Sequence, residues 1–173
     1  MLRRRALLMA ALAAAAAPAR AASSDVPLPP ALDQLLSLPL QRFDGVETTL
    51  GDHLRPGPAL VSFWASWCAP CVVEARHLSN VRRRYDVQRL NIVGLNVELI
   101  ANEAGVRRFL ERTRPTFTQL RADMSTYRAF GGSATQLTLP RLYAFDATGR
   151  PTAAFGAVTV GQINRAAASI VGG

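Results

Sequence analysis

Lysine is absent from this 173-residue chain, and cysteine and histidine occur only twice each. All twenty basic residues are therefore arginine, set against twelve acids for a formal charge of +8. Four of those arginines fall within the first twenty residues, and without them the excess drops to +4. That is too little to read a nucleic-acid surface from charge alone. Two cysteines exclude the multi-bridge scaffold of a small secreted domain, so they serve either as one structural pair or as chemistry. Charged residues make up only 18% of the chain and apolar ones 49%, the opposite of a disordered composition. The length fits one domain with one sizeable core, and no internal repeat is visible.

The N-terminus runs Arg3-Arg4-Arg5, an Ala/Leu-rich stretch from Ala6 to Ala17, Pro18, and then Ala19-Arg20-Ala21. A charged segment, a short apolar segment and a small-x-small site in that order describe a cleaved export signal over residues 1–21. Its apolar run is shorter than the roughly 18 residues that a membrane span requires. Arg4-Arg5 leaves both the general secretory and the twin-arginine route open. No cysteine lies near the cleavage site, which argues against a lipoprotein. The mature chain is expected to begin at Ala22 in the periplasm, an oxidising compartment. Residues 22–34, with Pro27, Pro29 and Pro30, read as an extended leader that packs little, and 35–173 as a single domain.

Within that domain, alternating residues over Leu35–Phe43 and Val46–Leu50 flank Asp44-Gly45, a strong hairpin signal. Ala59–Trp64 is a short apolar run typical of a buried strand. After Trp67 the period becomes helical, with Cys71, Glu74, Ala75, Leu78 and Val81 on one face up to about Tyr85. A second central strand is expected at Asn91–Val97, a helix at Ala101–Arg114 and a brief extended piece at Phe117–Leu120. A short helix at Ser125–Phe130 ends at Gly131-Gly132. Strands at Arg141–Asp146 and Thr152–Ala157 precede a last helix that opens at Thr159 with a capping box to Gln162. This alternation predicts an α/β three-layer sandwich: a mixed central sheet, helices on both faces and an N-terminal β-hairpin.

Cys68-Ala69-Pro70-Cys71 sits where a buried strand hands over to a helix. At the helix N-terminus, free N–H groups and the positive end of the macrodipole stabilise a thiolate at Cys68. Cys68 is expected at the surface as the attacking sulfur, and Cys71, one turn further in and more buried, as the resolving one. Pro70 is tolerated because N–H groups of the first turn have no intrahelical acceptor to lose. A passive staple is a poor alternative, since so short a loop removes little unfolded-state entropy. Half of a zinc site is another, but only His53 and His77 are on offer as further ligands. Arg82-Arg83-Arg84 reads as a solvated helix end, Trp64 as core, and Trp67 as part of the face that approaches Cys68.

Phe63–Cys71, with Glu74 three residues on, resembles the thioredoxin superfamily. More narrowly it is similar to the exported TlpA/ResA-like thiol-disulfide oxidoreductases associated with cytochrome c maturation. The resemblance extends to the Asp44-Gly45 hairpin, the Asn91–Val97 strand, the Ala101–Arg114 helix, Leu139-Pro140, and the Asp146–Gly149 turn with Gly156-Ala157 after it. It implies that Pro140 follows a cis peptide bond and exposes the backbone of Leu139 for strand-like pairing with a client, beside Trp67, Ala69 and Pro70. Arg141 stands where a threonine is common, and Arg76 where a proline is common. Ser62 occupies the place of the buried aspartate of thioredoxins proper, so the resemblance passes the task of proton acceptor for Cys71 to Glu74.

The expected activity is disulfide exchange with no cofactor beyond the Cys68–Cys71 pair and no metal. A monomeric periplasmic dithiol reductant would act on exported clients that carry disulfides and be recharged by a membrane electron donor, without nucleic acid. The motif leaves open whether it works as reductant or oxidant, because reduction potential sets direction. A copper metallochaperone using Cys68, Cys71 and His77 is the alternative from another class. A thiol peroxidase fits less well, because the related fold places a threonine three residues before the reactive cysteine and Ala65 is there.

Overall fold

A computed structural model describes residues 26–98 and 101–172. The expected export signal and the start of the leader lie outside the described residues. Strands β1 (Pro39–Gln41), β2 (Glu47–Thr49), β3 (Ala59–Trp64), β4 (Asn91–Asn96), β5 (Thr118–Arg121), β6 (Arg141–Phe145) and β7 (Pro151–Phe155) form one mixed sheet in the order β2-β1-β5-β4-β3-β6-β7. β3 and β4 run parallel, as do β4 and β5, whereas β6 pairs antiparallel with both β3 and β7. The helices are α1 (Ala69–Arg84), α2 (Glu103–Thr113), α3 (Met124–Ala129) and α4 (Val160–Val171). This is the expected α/β sandwich with its N-terminal hairpin.

The period-two alternation of strand side chains divides the core between the faces. Val61 and Phe63 join Val93, Leu95, Tyr143 and Phe145 on one face, covered by Tyr127 of α3 and by Phe130. Leu60, Ile92, Leu142 and Ala144 point the other way, against Leu78 and Val81 of α1 and Ile163, Ala167 and Ile170 of α4. Trp64 continues that second face into a smaller cluster with Val72, Ala75 and the α2 residues Val106 and Phe109. β3, β4 and β6 are buried along their whole lengths, which explains their mostly apolar character, with Ser62, Asn91, Asn96 and Arg141 as the buried polar exceptions. The hairpin turns at Gly45, whose φ of 89° is a left-handed value that glycine adopts without penalty. At α4 both halves of the Thr159/Gln162 capping box are formed.

The reading of residues 22–34 as a leader that packs little does not hold for its described part. Leu32–Leu35 form a 3₁₀ turn with Leu32 only 7% exposed and Leu35 in the core, and Val26 packs against the same cluster. Leu32 N–H also donates to the carbonyl of Gly149. Two leucines three residues apart share one face of a 3₁₀ turn and reach the core together, a pattern that proline-rich flanks obscure. The same turn takes the place of the start of the expected Leu35–Phe43 strand. The arginine run also needs correction: Arg82 is half-buried and donates to the carbonyls of Tyr85 and Leu90, tying the end of α1 to the entry of β4.

Residues 133–140 carry no regular structure, so side chains must hold them. Tyr127 does so. Its hydroxyl donates to the carbonyl of Thr138 at 3.0 Å and accepts the Thr138 N–H at 3.1 Å. The Arg141 guanidinium lies 5.2 Å from the centre of the Tyr127 ring. Tyr127→Phe keeps the packing and removes both bonds, and should cost about 1–2 kcal/mol. Urea unfolding of the oxidised protein checks this, and an unchanged midpoint would show that Tyr127 does not anchor the segment.

Candidate active site

β3 delivers the chain through Ala65–Trp67 to Cys68, the N-cap of α1. The sulfur of Cys68 accepts the N–H of Cys71 at 3.3 Å, so one otherwise unpaired donor of the first helical turn points at it. Cys68 and Cys71 are joined as a disulfide, with Cα atoms 5.3 Å apart. Pro70 lies in the first turn, where its missing N–H costs nothing.

Cys68 is not at the surface as expected. It is 3% exposed and Cys71 1%, so the pair differs in burial only slightly, though in the expected order. Spacing along a helix fixes which sulfur comes first, but it carries no information about what packs over the helix end. Here Cys68 and Cys71 belong to one cluster with Trp64, Val72, Val106 and Phe109, on which Leu139 and Phe43 also pack. Trp64 stacks on Phe109 with ring centres 4.0 Å apart and planes 12° from parallel.

Around this covered disulfide the surface is apolar. Trp67 is 55% exposed, Ala69 and Pro70 are exposed, and Val73, one turn along α1, is exposed with them. Val73 was missed in the sequence, although its position three residues after Pro70 places it on the same helix face. The Leu139–Pro140 peptide is cis, and Leu139 packs against the cluster that contains the disulfide. The structure thus brings Trp67, Ala69, Pro70, Leu139 and Pro140 to one end of the molecule. His77 is half-buried, and among the described residues no three of His, Cys, Asp and Glu are grouped to hold a metal ion.

Glu74 is buried inside this end, 3% exposed. Ser62 of β3, directly beneath α1, donates its hydroxyl to Glu74 Oε1 at 2.5 Å, while Oε2 has no partner among the described residues. Burial penalises the carboxylate and raises its pKa from 4.5 to about 7, and the Ser62 hydrogen bond opposes this only in part. The pairing of Ser62 with Glu74 escaped notice in the sequence because twelve residues separate them. The signal was present in two parts: a polar residue inside an apolar strand, and a carboxylate on the buried face of an apolar helix.

The raised pKa has a definite consequence for stability. Between pH 4.5 and about 7 the unfolded chain releases the Glu74 proton while the folded, oxidised protein retains it. Stability therefore falls as pH rises through that interval and levels off above it, by an amount on the order of 3 kcal/mol. Glu74→Gln removes the ionisable group, so wild type should lose about that much more stability than the variant between pH 5 and pH 8. Urea midpoints of both oxidised proteins measure the difference, and parallel pH curves would overturn the assignment.

Comparison with known proteins agrees with this geometry. A match to the AhpC/TSA family covers residues 32–162. The thiol:disulfide interchange protein HelX of Rhodobacter capsulatus is 37% identical over 81 residues, 46% of this chain and 43% of that protein, so the chain spans less than half the length of this relative. A thioredoxin of Mycolicibacterium smegmatis is 31% identical over 85 residues, which is 49% of this chain and 75% of that protein. Among solved structures, a secreted Mycobacterium tuberculosis disulfide oxidoreductase described as homologous to E. coli DsbE superposes with a TM-score of 0.64. It is 20% identical and the match covers 79% of this chain and 98% of that one. DsbF of the same organism gives 0.65 at 22% identity, over 79% and 96% of the two chains. A family match running from the 3₁₀ turn into α4, on a fold shared with these proteins, places the chain in the AhpC/TSA family of thioredoxin-fold proteins.

Proposed function

We propose that the protein is an exported dithiol reductant acting in the periplasm on disulfides of exported proteins, of the kind used in cytochrome c maturation. The observation that carries this is the Cys68–Cys71 disulfide at the N-terminus of α1, ringed by exposed Trp67, Pro70 and Val73 and flanked by cis-Pro140. A polypeptide laid over that surface meets apolar side chains on one side and the backbone of Leu139 on the other. Export is supported by the charge and apolar order of residues 1–21 and by a structural neighbour described as secreted. Among the described residues no helix is long and apolar enough to cross a membrane. Ala65, fully buried three residues before Cys68, carries no hydroxyl to hold a peroxide, which favours disulfide exchange over peroxide reduction.

The Cys68 thiolate attacks one sulfur of the client disulfide. A mixed disulfide forms as the client S–S bond breaks, and the other client sulfur leaves as a thiolate that takes up a proton. Cys71 then loses its proton to Glu74 and attacks the Cys68 sulfur; the internal disulfide closes as the bond between Cys68 and the client breaks, and the second client sulfur leaves as a thiolate that takes up a proton. Two electrons and two protons pass to the client, and a membrane dithiol donor restores the monomeric protein by the reverse steps. A carboxyl with a pKa of about 7 is matched to this exchange at neutral pH. Once ionised it also disfavours a neighbouring thiolate, so the reduced pair is not over-stabilised and the potential is held toward the reducing end.

Cys68→Ser should abolish exchange, and Cys71→Ser should accumulate mixed disulfides with clients, visible on a non-reducing gel of the exported fraction. Retained turnover in the first variant, or no adduct in the second, would reverse or remove these roles. Glu74→Gln should slow exchange by roughly a hundredfold and shift its pH profile without abolishing it. Superimposable profiles would make Glu74 a bystander. Redox titration of the pair should give a potential below about −200 mV, and a value above about −180 mV would make the protein an oxidant.

A further inference from the structure

Beyond the apolar rim lies a groove of about 640 Å³, between the turn that precedes Cys68 and helix α2. Ser66 and Trp67 form one wall, Phe109 belongs to its lining, and Arg108 and Arg112 stand on the α2 side. The two walls are fastened together. The Asn102 amide donates to Ser66 Oγ at 3.1 Å while its Oδ1 accepts the N–H of Gly105 at 3.0 Å, so one side chain both caps α2 and holds the turn. Gly105 makes that approach feasible, because a Cβ there would lie 2.4 Å from the Asn102 amide nitrogen and 2.8 Å from Ser66 Oγ. From the other side, Glu98 accepts the Ser66 N–H at 2.6 Å. The groove is thus shaped before anything enters it.

Its charge is unbalanced. Arg42, Arg121 and Arg150 each pair with a carboxylate, whereas among the described residues Arg108 and Arg112 pair with none. They lie four residues apart on one exposed helix face, a like-charge spacing that is mildly unfavourable until an anion relieves it. Among the described residues Glu111 is the one acid that lines the groove, and it leaves a net positive charge there.

We propose that this groove selects clients, binding an extended client segment that carries acidic side chains next to the disulfide under attack. The aromatic face of Trp67 takes the client backbone at the sulfur, and Arg108 and Arg112 take its carboxylates along α2. This rests on the disulfide-exchange reading above and names the class of substrate for it.

The test uses the full-length mature protein in its reduced form and two peptides with one internal disulfide each, identical except for paired aspartates or paired arginines beside one cysteine. Stopped-flow exchange at low salt should favour the acidic peptide by roughly tenfold, and the preference should shrink in 0.5 M salt. In Arg108→Glu/Arg112→Glu the ratio should invert; because it is a ratio within one preparation, it does not depend on how much of the variant is active. A cysteine-free acidic peptide should change the tryptophan fluorescence of the wild type saturably, and its basic counterpart should not. Equal rates for both peptides, or a ratio that survives the double substitution, would overturn the groove's role. Failure of the wild type to exchange with hydroxyethyl disulfide, which carries no charge, would overturn the underlying reading instead.

Discussion

Everything at the functional end depends on β3 being buried on both faces while it runs into the N-terminus of α1. A strand at that position has no freedom to shift: Val61 and Phe63 are held by the aromatic cluster beneath, and Leu60, Ser62 and Trp64 by the helices above. A slip of one residue would exchange the two faces and carry Ser62 away from Glu74. The register of β3 therefore sets where Cys68 begins the helix, which N–H its sulfur accepts and which hydroxyl meets the buried Glu74 carboxyl.

The second consequence of that burial is electrostatic. In an apolar strand and helix interface a carboxyl has one hydroxyl to turn to, and its proton becomes harder to remove. Such a group weakens the fold at neutral pH and is suited to hold a proton for a thiol at that pH. On the role proposed for Glu74, stability and disulfide exchange draw on the same carboxyl in opposite directions. The covering of Cys68 by Leu139, Phe109 and their neighbours works the same way: it excludes water from the disulfide while leaving the apolar rim open.

The irregular segments at this end are held at longer range. The cis-Pro140 segment hangs from the Tyr127 hydroxyl and the turn before Cys68 from Asn102, so neither depends on a regular ladder of its own. Tyr127 reaches the segment from eleven residues away and Asn102 reaches the turn from thirty-six, with Glu98 accepting the Ser66 N–H beside it. These tethers hold irregular segments in place beside the disulfide, as the proposed binding of a client peptide requires.

Local pattern was enough for much of this. The run Ala59–Trp64, the switch of period after Trp67, the Asp44-Gly45 turn and the Thr159 capping box each report on neighbours within a few residues, and each stands where sequence reading put it. The Cys-x-x-Cys spacing at a helix start likewise put Cys68 at the N-cap and Cys71 in the first turn. Tertiary packing decided what such patterns leave out: the burial of Cys68, the entry of Leu32 and Leu35 into the core, the role of Arg82 and the partnership of Ser62 with Glu74. Periodicity tells a residue which way to face along its own element. What it meets there, and how far its pKa moves as a result, is settled by other elements, brought close only when the whole sheet has formed.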